Sequence, residues 1–157
     1  MRGILVIALV LAAGTLSAAE NTEAKTVFKA WDVRVETGDE TLGAYQVEIF
    51  YPKTTVKIVG VEGGEPETFR DAPRYDPKGL KGGRIILAAF TTDKKSAPKG
   101  TVRVARIHTS IEGKDTPEIS AKVTTAGNID GKKITITVRL SETKREKKGN
   151  KNEKTEE

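Results

Sequence analysis

From Trp31 onward the chain alternates apolar and polar residues with a period of two, and almost nowhere shows the three-to-four spacing of a helix. Successive side chains of a strand point to opposite faces, so each alternating segment has one face to bury. "WDVRVET" sets Trp31, Val33 and Val35 on one face, with Asp32, Arg34 and Glu36 on the other. "LGAYQVEIFY" sets Tyr45, Val47, Ile49 and Tyr51 against Gln46 and Glu48, and Pro52 ends that strand because it cannot donate to a ladder. "VKIVGVEGG" predicts a third strand from Val56 to Glu62, closed by Gly63-Gly64. "GRIILAAF" is apolar on both faces from Ile85 to Phe90, which predicts a strand in the middle of a sheet or one covered by the preceding loop.

In "TVRVARIHTSI" the phase changes. Val102 and Val104 share one face, while Ala105, Ile107, Thr109 and Ile111 take the other. A bulge near Val104-Ala105 reconciles the halves, because one extra residue re-aims all that follow. "EISAKVTTA" has Ile119, Ala121 and Val123 to bury, Asp130-Gly131 suits a tight hairpin, and "ITITVRL" has Ile134, Ile136, Val138 and Leu140. Seven strands, short turns and no helical crossover predict an all-β fold of two antiparallel sheets packed face to face.

The ends read differently. Arg2, the unbroken apolar run Ile4 to Ala13, and small residues at Ser17 and Ala19 form the pattern of a secretory signal peptide over 1–19, cleaved after Ala19. The run is shorter than the roughly 20 residues a spanning helix needs, so no membrane span is expected after cleavage. Residues 20–29 are expected to be a linker, 30–140 one domain, and 141–157 a disordered charged tail with six basic and five acidic residues and nothing apolar. The chain is thus expected to be exported, to the periplasm, the cell surface or the medium. It has no cysteine, so an ordinary hydrophobic core must hold the domain.

Composition narrows the chemistry. Without cysteine there is no thiol nucleophile or thiolate metal site, and one histidine, His108, does not make a common zinc site. No D-x-D-x-D-G calcium loop and no G-x-x-x-x-G-K-[ST] phosphate loop occurs. Glu62 and Glu65 flank Gly63-Gly64, where a polar strand-end turn is the commoner reading than a hydrolytic carboxylate pair. Net charge is +5, or +4 once Arg2 leaves with the leader, but the signs are mixed and no basic cluster is interleaved with aromatics. A nucleic-acid partner is therefore not expected. No catalytic residue, cofactor or metal is expected.

Binding demands less of a sequence. "FRDAPRYDPKGLKGG", Phe69 to Gly83, is stiffened by Pro73 and Pro77 and carries two of the chain's few aromatics. Phe69 is expected to close the core. Tyr75, with Arg74 and Asp76 as hydrogen-bonding neighbours, could instead desolvate the apolar face of a sugar ring.

"GAYQVEIFYPKTTVKIVGVEGG", then that loop, then "GGRIILAAFTTDKKSAPKGTVRVARIHTSIEG" together resemble a cohesin domain, over roughly Val33 to Leu140. The resemblance implies a nine-stranded jelly-roll-type sandwich, a scaffold shared with a superfamily of carbohydrate-binding modules. It further implies a non-catalytic receptor, which in that family takes dockerin modules mostly through one sheet face. The expected function is protein docking or adhesion to an extracellular or envelope partner, with outward Gln46 and Glu48 as contact candidates. The alternative is polysaccharide binding through Tyr75, Arg74 and Asp76.

Overall fold

The computed structural model describes residues 25–113 and 115–143. The expected signal peptide and nearly all of the expected tail lie outside them. Seven strands follow in order: β1 (Thr26–Glu36), β2 (Leu42–Phe50), β3 (Val56–Gly63), β4 (Arg84–Phe90), β5 (Thr101–Glu112), β6 (Ser120–Asn128) and β7 (Thr137–Glu142). They form two antiparallel sheets, sheet A in the order β3-β5-β1-β7 and sheet B in the order β4-β2-β6. The only helices among the described residues are two short 3₁₀ turns, Glu67–Phe69 and Pro77–Leu80.

The core lies between the sheets, where the alternation places it. Val33 and Val35 of β1, and Val102, Val104, Ala105, Ile107 and Ile111 of β5, face Tyr45, Val47 and Ile49 of β2 and Ile85 and Leu87 of β4. The phase change in β5 is a β-bulge. Val33 pairs with Ala105 and Arg34 with Arg103, leaving Val104 as the extra residue, so both halves of β5 turn their apolar sides inward. Buried polar groups are matched: Tyr45 donates from its hydroxyl to the Val104 carbonyl at 3.0 Å, and Trp31 donates from its indole to Thr109 Oγ1 at 3.1 Å.

Four expectations change. β1 starts at Thr26, inside the expected linker, because the long β5 offers it partners as far as Glu112. β4 lies at the edge of sheet B, not the middle; the loop adds one bridge, Arg74 to Ala88, along its free edge, and its apolar second face stays open at Phe90. The last apolar run is not one strand. Lys133 bridges to Gly127 of β6 and Ile134 N–H donates to the Ala126 carbonyl, whereas Thr137–Glu142 pairs with β1, so the chain crosses between sheets at buried Ile136. The resemblance implies nine strands, and the described residues form seven, with single-residue bridges at Arg74 and Lys133 widening sheet B on either side.

The loop between β3 and β4 is pinned along its length. Phe69 is buried, as a core-closing ring should be, and meets the Tyr45 ring edge-on at 5.5 Å. Gly64 N–H donates to the Phe69 carbonyl at 2.6 Å, and the Tyr51 hydroxyl donates to the Gly79 carbonyl. Gly63 lies directly against the backbone of Arg70 and Asp71, so close that any Cβ there would collide with it.

Candidate functional site

The outward faces of the two sheets differ in chemistry. On sheet A most outward charges pair with one another, beside an open depression of about 580 Å³ where Ala30 and exposed Phe28 meet Arg106, His108 and Glu142. Asp32 is buried, against the expectation that alternation exposes it. Arg106, directly opposite on β5, donates from Nε to Asp32 Oδ1 at 2.7 Å; Thr143 donates to the same oxygen at 3.1 Å, and Arg34 approaches Oδ2 at 3.4 Å. Burial pushes the Asp32 carboxyl up, but the hydrogen bonds from Arg106 and Thr143 and the charges of Arg106 and Arg103 together hold it below the ordinary value. Glu65 takes hydrogen bonds from Arg34 and Arg103, and His108 Nε2 lies 2.8 Å from Glu62. Glu62 and Glu65 are each committed to a different partner. Among the described residues no cluster of three or more His, Cys, Asp or Glu side chains could hold a metal ion, and no helix is long and apolar enough to cross a membrane.

Sheet B presents an open apolar depression. Its outward rows run Phe90–Ala44–Gly127, then Ala88–Gln46–Thr125, then Ile86–Glu48–Lys122 across β4, β2 and β6. The first two rows floor a depression of about 420 Å³, bounded by Arg74 on the β4 side and Lys133 on the β6 side. Alanine and glycine make the floor low, and Phe90, 71% exposed, stands at its end. A solvent-facing phenylalanine beside small apolar residues is surface that folding leaves unburied.

The candidates drawn from sequence distribute unevenly over this geometry. Gln46 and Arg74 come together, both lining the depression. Glu48 is two residues along β2 on the same face but already engaged: Arg84 binds it through two hydrogen bonds at 3.1 and 2.9 Å, and Thr124 donates at 3.2 Å. The Arg84 hydrogen bonds hold the Glu48 carboxyl below its usual range. Tyr75 is half-buried against the core, because Arg74 takes the outward phase in its bridge with Ala88 and the next residue must point inward. Asp76 caps the second 3₁₀ turn, accepting from Lys78 N–H at 2.9 Å. Sequence reasoning missed Ala44, Ala88, Phe90, Gly127 and Lys133. Only the outward phase of Phe90 was readable locally; the rest depends on which strands adjoin.

Two antiparallel sheets packed face to face, with an open depression on each outer face, define a β-sandwich with a surface suited to binding. Comparison with known proteins agrees on the scaffold. A non-cellulosomal cohesin from the hyperthermophilic archaeon Archaeoglobus fulgidus is similar to this chain, with a TM-score of 0.55 and 14% sequence identity over 72% of this chain and 75% of that one. At that identity the likeness shows the fold alone, a cohesin-like β-sandwich. No family model and no curated protein matches the chain.

Proposed function

We propose that this chain is a non-catalytic, exported module that docks a protein partner on the outward face of sheet B. The observation that carries the reading is the depression itself: a low apolar floor of Ala44, Ala88 and Gly127 beside an exposed Phe90, flanked by polar side chains. Interfaces of this kind place an apolar anchor at the centre and polar groups at the rim. The cohesin-like scaffold supports the reading, since the resemblance implies capture across one sheet face. Polysaccharide binding through the loop would need an exposed ring there, and Tyr75 is half-buried against the core.

Gln46→Glu tests the proposal, because it puts a carboxylate on the central strand of the apolar floor without touching the core. Capture of a partner from the producing cells is expected to fall by at least about tenfold, while the melting temperature stays within about 2 °C of the parent. Lys57→Glu, on the outward side of sheet A, should leave capture intact. Equal capture by the parent and Gln46→Glu would remove sheet B from the docking role. Export is checked separately, by N-terminal sequencing of the protein recovered outside the cytoplasm, which should begin at Glu20.

A further inference from the structure

The depression also carries a charge signature that specifies its occupant. Arg74 bridges Ala88 on the free side of β4, and Lys133 bridges Gly127 on the free side of β6. Residues opposite each other in a ladder share a face, so both cations stand on the outward side with the floor between them. Both are exposed, and among the described residues neither forms an ion pair. No acidic residue lines the depression. Glu48, the nearest carboxylate along β2, is bound by Arg84, and Asp130 beyond the β6 rim is held by Lys94 at 2.7 Å. Asp71 shares the adjoining groove with Arg74 and Phe90 but forms no ion pair with Arg74.

Taking the docking reading as given, we propose that the occupant is an acidic amphipathic helix of a partner protein, with an apolar stripe flanked on both sides by Asp or Glu. The floor is the face of a sheet, whose backbone N–H and C=O groups already pair between strands, so it offers an extended segment no ladder to join. A helix satisfies its own backbone and needs only an apolar surface. Three strands about 4.8 Å apart make a floor about 10 Å wide, close to the diameter of a helix. The two rims, four strand spacings apart, are separated by about 19 Å, leaving room for carboxylate side chains to reach outward from the stripe to each cation. Nucleic acid fits less well, since it draws on a track of cations along its backbone rather than two separated by an apolar strip.

The test places a photo-reactive residue at Thr125 in the full chain and incubates it with proteins of the producing cells, at low and at physiological salt. The expected result is a cross-link to a helical segment of another protein that carries acids on both sides of an apolar stripe. Its yield should fall roughly tenfold in Arg74→Glu/Lys133→Glu and weaken with added salt, because rim charges act on encounter and orientation. A cross-linked segment without flanking acids, or a yield that the double charge reversal leaves unchanged, overturns the acidic-helix assignment while leaving docking on sheet B standing. Cross-links only to a second copy of this chain, to glycan or nucleic acid, or to nothing at all overturn both.

Discussion

Asp32→Ala is expected to lower stability by about 3 kcal/mol at neutral pH, the scale on which removing one partner of a buried ion pair costs a protein. The loss exceeds that of one hydrogen bond because of what stays behind. Arg106, Arg103 and Arg34 converge on the carboxylate from β5 and β1, and Thr143 reaches it from the end of β7. Without it, three guanidinium groups face one another with no carboxylate between them. At about 4 °C per kcal/mol for a domain of this size, the melting temperature should fall by about 12 °C. A fall of less than about 3 °C would show that the arginines simply turn to solvent and that the cluster contributes little. A double-mutant cycle with Arg106→Ala isolates the pair itself.

The same carboxylate gives the prediction its pH dependence. Its folded-state affinity for protons is depressed relative to the unfolded chain, despite burial acting the other way. Its stabilisation is therefore complete above the unfolded value near 4 and is lost as pH falls through the lower folded value. Chemical denaturation of the parent at decreasing pH should show stability dropping below about pH 4, and Asp32→Asn should remove part of that slope while leaving the remainder to other carboxylates.

Features written along one strand were legible in the sequence. The phase change between Val104 and Ala105 was visible because a bulge alters the order of residues within a single segment, and the inward faces of β1, β2 and β5 followed from alternation alone. What depends on a neighbouring strand was not. Asp32 looked solvent-facing because nothing near it in sequence says that Arg106, 74 residues on, lies directly opposite. β4 looked central because its second face is apolar, and nothing within its own segment says that this face is left open at Phe90 while Arg74 bridges its free edge. The site followed the same rule. Gln46 was found from its outward phase, but Lys133 joined it only because the chain bridges to Gly127 before crossing to sheet A. Tyr75 and Arg74 were read as one cluster, whereas the bridge sends adjacent residues to opposite faces.

Phe69→Ala is expected to destabilise the fold by about 4 kcal/mol, the range for removing a buried phenylalanine and leaving a cavity. The ring is 2% exposed and presents its edge to Tyr45 at an interplanar angle of 67°, a contact that adds to simple area burial. It is also the apolar anchor of the loop, since its own carbonyl accepts from Gly64 while its side chain fills the sandwich end. The loop should therefore loosen before the sheets do. Trypsin would cleave after Arg70, Arg74 or Lys78 well below the melting temperature, and Arg74 would lose its fixed place above the β4 edge. Phe69→Leu, which keeps most of the volume, should cost about 1.5 kcal/mol or less and leave the loop protected. Phe90→Ala is the matched comparison, an aromatic of the same size but 71% exposed, expected to shift stability by no more than about 0.5 kcal/mol. If Phe69→Ala and Phe90→Ala melted together, the loop would be a passive excursion rather than a lid that holds one edge of the candidate docking face in place.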